Sequence, residues 1–138
     1  MAYRHGVKVR YGETDQMGVV HHANHLLYFE EARTEYMAHL GCSYRALEAG
    51  GVGLPVRRAD LRYRNAAFYE DELEVHVSVG RVGAASVTFE YRLHRPADDA
   101  RIADGTIELA CVDLGDRKPR MLPDELRGVL ASETDQAS

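Results

Sequence analysis

Tryptophan is absent from this 138-residue chain, and cysteine, lysine, asparagine and glutamine occur only twice each. Two cysteines, Cys42 and Cys111, far apart in sequence, cannot build a disulfide framework and read as reduced thiols. The cationic side chains are almost all arginine, they form no run, and the net charge is −5, so nucleic acid is not an expected partner. No apolar stretch approaches the ~18 residues that a membrane helix needs. The opening residues MAYRHGVKVRYG lack the apolar segment of a secretion signal, so a cytoplasmic protein is expected. A length of 138 residues with 45% hydrophobic content suits one soluble domain spanning residues 1–138 with a single core.

The stretch Tyr11 to Gly41 dominates what is present. It opens as an acidic, glycine-containing loop, passes through Val19-Val20 and a group of histidines, and becomes a long helix. Leu26, Phe29, Ala32, Tyr36 and Leu40 recur at helical spacing. Asn24 is a candidate N-cap and Gly41 a natural stop. Before it, Val7, Val9 and Tyr11 alternate as a half-buried strand. After it, Ser43 to Gly50 reads as a short capped helix.

Then the period changes to two. Val52 to Asn65 reads as a strand that Pro55 pushes to an edge or bulge. Leu73, Val75, Val77 and Val79 alternate, as do Val87, Phe89, Tyr91 and Leu93, and Gly80 to Gly83 is the expected hairpin turn between them. Ile102 to Leu114 forms a last long strand with a kink expected at Gly105, and Asp124 to Ala131 a short terminal helix. The sum is an α+β domain: a curved antiparallel β-sheet wrapped around one long central helix, the only element expected to be large enough to cover the sheet's apolar face.

Thr14-Asp15-Gln16-Met17-Gly18-Val19-Val20-His21-His22-Ala23-Asn24-His25 followed by Tyr28-Phe29-Glu30-Glu31-Ala32-Arg33 resembles the motif of the 4-hydroxybenzoyl-CoA thioesterase family of hot-dog-fold acyl-CoA thioesterases. Leu61 to Ala66, Asp71 to Leu73, Cys111 to Asp113 and Lys118-Pro119 also look like features of that family. The resemblance implies hydrolysis of an acyl-CoA to a carboxylate and free coenzyme A, with no cofactor. It puts the catalytic carboxylate at Asp15 and an oxyanion donor at the backbone N–H of His22. It further implies a homodimer or homotetramer with sites at the interface, and Val20, His21 and His25 are the expected substrate contacts. His25 departs from the usual Tyr and is expected to reshape the acyl pocket.

Residue chemistry is compatible with these roles. A carboxylate can draw a proton from water or attack a carbonyl to give a mixed anhydride, and both routes stay open for Asp15. The same Asp could alternatively be a turn former. His21 and His25 have the i, i+4 spacing of helical zinc ligands, but the motif fixes no third ligand, and no metal is assigned. Glu30 and Glu31 are candidate carboxylates of which at most one can face the site, and they read more simply as salt-bridge partners of Arg33 or Arg10 or as interface contacts. Arg81, with Arg57, Arg58, Arg62, Arg64, Arg117 and Arg120, is a candidate for the coenzyme A phosphates. Two other functions suit the same pattern: a dehydratase or hydratase using His22 and Glu30, and a non-catalytic acyl-CoA-binding module.

Overall fold

The computed structural model of the protein describes residues 2–136, the side chains of 135 and 136 excepted. Strand β1 (Tyr3–Lys8) leads through a 3-10 turn (Tyr11–Glu13) to helix α1 (Asn24–His39) and the short helix α2 (Tyr44–Ala49). Strands β2 (Val52–Gly53), β3 (Val56–Tyr63), β4 (Glu72–Val82), β5 (Ser86–Arg95), β6 (Ala100–Ala110) and β7 (Val112–Asp113) follow, then helix α3 (Asp124–Gln136). Five strands make one antiparallel sheet in the order β1-β4-β5-β6-β3, while β2 and β7 pair separately. This is the expected α+β hot-dog architecture, and no described helix is long and apolar enough to cross a membrane.

Alternation decides which sheet face is covered. Leu73, Val75, Val77 and Val79 of β4 and Val87, Phe89, Tyr91 and Leu93 of β5 are all buried, and the intervening residues are not. Helix α1 presents Phe29, Ala32, Tyr36 and Met37 to that face. Each such large apolar side chain contributes about 1.5–3 kcal/mol of burial free energy. Helix α3 also covers the sheet, since it packs against β4 and buries Leu126 and Leu130. The long helix is therefore not the only cover. The acidic tail sequence had masked an apolar stripe on α3, which also runs longer than the segment expected from Asp124 to Ala131.

Four local expectations need correction. Asn24 is the first helical residue and not the cap; the N-cap is Ala23, which offers no side-chain acceptor, and the Asn24 amide instead donates to the Glu13 carbonyl at 2.9 Å. Strand β1 ends at Lys8 because Tyr11 already belongs to the 3-10 turn. The β4–β5 reversal falls at Gly83, whose N–H donates to the Ser86 carbonyl at 2.8 Å, because a bulge after Val79 lets β4 run on through Gly80 and Arg81. Gly105 lies in unbroken register with Leu61 and Tyr91, so it marks no kink. Ser43, by contrast, caps α2 as read, accepting from the Ala46 N–H at 3.2 Å.

Gly105 is small because α1 needs the room. A Cβ there would lie 2.6 Å from Cε2 of Phe29, a ring with no exposure that stacks on Tyr91 at 4.6 Å and 17°. Gly105→Ala should therefore destabilise the fold by about 1–3 kcal/mol through overpacking. Urea denaturation checks this, and pairing the change with Phe29→Leu should recover part of the loss. Additive effects of the two substitutions would show that the ring and the glycine do not limit one another.

Candidate active site

The motif loop is built as a small hairpin. Thr14 bridges to Val20, the Asp15 N–H donates to the Val19 carbonyl at 2.9 Å, and the Gly18 N–H closes the turn onto the Asp15 carbonyl at 2.9 Å. Gly18 has φ +82, which an L side chain rarely adopts, so glycine is required at this corner. Oδ1 of Asp15 accepts from the Met17 N–H at 2.9 Å, as an Asx turn does. The turn-former reading and the catalytic reading of Asp15 are thus compatible. One carboxylate oxygen fixes the loop, and the second has no hydrogen-bond donor among the described residues.

Glu13 ties this loop to the helix. Its carboxylate accepts from the Arg10 N–H and the Tyr28 hydroxyl, both at 2.9 Å, and from Arg10 Nε at 3.2 Å. Its carbonyl accepts from the His21 N–H and the Asn24 amide. Burial raises the Glu13 pKa, but the bonds from Arg10 and Tyr28 outweigh it and the net displacement is downward. Burial, then the Glu13 carboxylate, pushes the Tyr28 phenol well above its ordinary value. The loop is thus held to the helix by the Glu13 carboxylate accepting from the Tyr28 phenol.

The start of α1 is left uncapped by side chains. The His22 carbonyl accepts from the Tyr63 hydroxyl at 2.8 Å and faces Nδ1 of His25 at 3.2 Å. A carbonyl can only accept, so that contact requires the proton on Nδ1. The Ala23 N–H reaches Nδ1 of His21 at 3.3 Å, and the His22 N–H has no acceptor among the described residues. An unsatisfied N–H beside a helix N-terminus suits a developing negative charge.

A cleft of about 310 Å³ gathers Asp15, Val20, His22 and His25. Met17 and Val19 of the loop, and Tyr63 to Ala67 at the end of β3, complete its wall. The sequence reading thus brings together four of its six site residues. His21 is exposed outside this lining, its ring 4.1 Å from that of His22, and it precedes the helix, so the i, i+4 relation to His25 does not place both on one helical face. Arg81 follows the β4 bulge opposite Thr88, away from the cleft lining. Arg64 is the candidate arginine that lines the cleft, paired with Asp104 at 3.0 Å. Glu30 and Glu31 do not pair with Arg33 or Arg10 as expected. Arg10 bonds Glu13, the buried Arg33 donates to the Tyr44 and Tyr91 hydroxyls at 2.7 and 2.8 Å, and Glu31 lies 3.5 Å from His5.

Tyr63 and Glu13 are the residues that sequence reasoning passed over. Tyr63 lies in the quoted Leu61 to Ala66 segment, and its alternation within a strand reads as core. Instead its ring meets His25 edge-on at 4.8 Å and 87° while remaining half-exposed. Glu13 carries no periodic signal at all, since its role depends on Tyr28 being folded over it.

Residues 9–130 match the sequence profile of the Thioesterase-like superfamily. An acyl-CoA thioesterase YbgC of Haemophilus influenzae is 38% identical over 122 residues, 88% of either chain. An acyl-CoA thioester hydrolase YbgC of Escherichia coli is 34% identical over 121 residues, 88% of this chain and 90% of the relative. The solved DHNA-CoA thioesterase of Staphylococcus aureus superposes with a TM-score of 0.90 at 28% identity, covering 97% of this chain and 90% of its own.

The burial of His25 generates a prediction about pH. Desolvation, followed by the nearby His22 and His21 charges, holds its pKa below the ordinary 6.5 against the hydrogen bonds that raise it. The unfolded chain then binds more protons than the folded one below pH 6.5, so stability falls as pH drops through that value. His25→Gln should flatten the decline between roughly pH 6.5 and pH 5, a window above the carboxylate range. Denaturant midpoints across those pH values test it, and an unchanged slope would mean that His25 is protonated equally well in both states.

Proposed function

Because the chain belongs to the thioesterase-like superfamily and is a thioester hydrolase, we propose that it hydrolyses an acyl-CoA, with Asp15 as base or nucleophile and the His22 N–H as oxyanion donor. The observation that carries this reading is the meeting of a half-liganded carboxylate and an unsatisfied N–H in one cleft at the start of α1. A thiolate of pKa about 8.5 leaves without strong acid assistance. What the protein must supply is a nucleophile and a home for the carbonyl oxygen's charge. One backbone donor to that oxygen is worth about 3 kcal/mol of barrier. Attack by water, whose proton Asp15 takes, or by the free Asp15 oxygen forms the tetrahedral centre; its collapse breaks the carbon–sulfur bond and coenzyme A departs as thiolate, and on the second route water then hydrolyses the Asp15 mixed anhydride to release the carboxylate.

The remaining cleft residues define the acyl side. Val19, Val20, Ala66 and Ala67 are apolar, and the neutral His25 ring closes on Tyr63. Within the superfamily we infer a place beside the 4-hydroxybenzoyl-CoA thioesterases from the Asp15 to Arg33 motif. The hydratase alternative asks Glu30 to join His22, but Glu30 is exposed on α1 and does not line the cleft. Two buried, unpaired thiols at Cys42 and Cys111 fit a reducing compartment, and we infer the cytoplasm.

Asp15→Asn keeps the Asx-turn acceptor while removing the charge that either route requires, so kcat should fall at least about 10²-fold with the fold intact. His22→Ala should lose less, because the backbone N–H remains. Thiol release from a panel of acyl-CoAs at saturation measures both. Near-normal turnover by Asp15→Asn would defeat the mechanism, and an inert wild type would favour a non-catalytic binder.

We also infer a homodimer or homotetramer. Seven of the eight β3 residues are exposed along one sheet edge, a feature that pairing with another strand removes. The cleft wall continues directly from that edge at Tyr63, so a second copy there would border the site. Light scattering should give a dimer or larger at assay concentration, and a stable, fully active monomer would exclude a shared site.

A further inference from the structure

The sheet face turned away from α1 carries a cluster that thioester hydrolysis does not use. Glu74 and His76 lie two residues apart on β4 and share a face, while His94 on β5 is the direct cross-strand partner of Glu74. One ligand atom from each of the three lies within 4.8 Å of the other two. Nε2 of His76 and Oε1 of Glu74 are 2.6 Å apart, and the two imidazole rings meet edge-on at 4.9 Å and 88°. All three side chains are half-buried, so their rotamers are restrained by the strands beneath them. His94 Nδ1 is buried with no hydrogen-bond partner.

We propose that Glu74, His76 and His94 form a binding site for a divalent transition metal, of which zinc is the best fit, on the outer face of the sheet. Two imidazoles and one carboxylate are a borderline-soft donor set that suits zinc better than magnesium or calcium. Tetrahedral zinc with ligands at 2.0–2.2 Å separates them by roughly 3.4 Å. The His76–Glu74 pair at 2.6 Å is closer than that and no pair exceeds 4.8 Å, so side-chain rotation has only a short distance to cover. Zinc would replace the proton that joins Glu74 to His76, which leaves to solvent.

A depression of about 310 Å³ lined by His76, Arg92, His94, Asp99 and Arg101 opens beside the rings and gives room for a fourth ligand, water or the Asp99 carboxylate. Arg92 and Arg101 there, and Arg4 opposite His76 on β1, oppose a dication by charge. Arg101 is offset in part by Asp104 at 3.8 Å. These long side chains can swing into solvent, whereas direct coordination by three preplaced groups acts at contact distance, so coordination prevails. The site spans β4 and β5, and metal there would pin the centre of the sheet without touching the Asp15 cleft.

The test uses the full chain, stripped with chelator, in a His21→Ala/His22→Ala background that removes the exposed loop histidines as competing ligands. Calorimetric titration with zinc should give one site per chain at micromolar affinity or tighter, and His76→Ala with His94→Ala should weaken it at least about tenfold. Glu74→Gln, which preserves shape, should weaken it as well. Circular dichroism checks that each variant is folded. X-ray absorption of the zinc-loaded background protein provides a reading that needs no ligand substitution and should show two imidazoles and oxygen donors. No saturable binding, undiminished binding in the double histidine variant, or a zinc shell with fewer than two imidazoles would each overturn the proposal. None of these readouts depends on hydrolysis, so the metal site and the thioesterase mechanism stand or fall separately.

Discussion

The seating of Phe29 fixes this molecule. Its ring fills the space that Gly105 leaves open in β6 and stacks on Tyr91 of β5, which sets the depth and rotation of α1 against the sheet. One turn earlier on the helix lies His25, and just before the helix begins lies His22. The height of the uncapped N-terminus is therefore decided by a packing contact in the core. Interiors are dense enough that such a contact has few alternatives. A cleft at the end of α1 inherits that rigidity.

The loop carrying Asp15 is fixed by different means. It buries little apolar surface, so polar links hold it: the Thr14–Val20 bridge, the Val20 N–H on the Ala67 carbonyl, and Glu13 accepting from Tyr28 on the helix. Of these, Glu13 is the only charged group, and its downward-shifted carboxyl remains ionised throughout the neutral range. Packing positions the His22 side of the cleft and hydrogen bonding positions the Asp15 side. The two halves meet because Tyr28, part of the buried face of α1, also bears the hydroxyl that Glu13 receives.

Much of this was legible from residue order. Alternation at Leu73 to Val79 and Val87 to Leu93 identifies the central hairpin and its inner face, because one covered face forces period two. Pro55 correctly signals an edge, and β3 is one. The motif from Asp15 to Arg33 contains six of the residues that line the cleft: Asp15, Met17, Val19, Val20, His22 and His25. The misses share a cause: each depends on a partner distant in sequence. Gly105 reads locally as a kink because its reason, Phe29, is 76 positions earlier. Asn24 reads as a cap because the Glu13 carbonyl it bonds is invisible to helix rules. Gly80 reads as a turn because its bulge is a property of the pairing between β4 and β5. Tyr63 reads as core because the strand's position at the sheet edge exposes it.

The same reasoning explains why the proposed catalytic cleft and the proposed metal cluster can share one small chain without interfering. The sheet separates them. Its inner face is covered by α1 and α3, and the cleft lies at one end of α1, beside the unpartnered His22 N–H. Its outer face has no helix over it among the described residues, so polar residues alternate there with the buried set, and cross-strand neighbours fall within ligand distance of one another. Glu74 and His94 are adjacent only because Val75 and Leu93 are paired in the core behind them. A one-residue slip of register would bury the charged set and expose the apolar one, at a free-energy loss far larger than any surface cluster could offset. The hydrophobic pattern that covers the inner face therefore also dictates the chemistry available on the outer face.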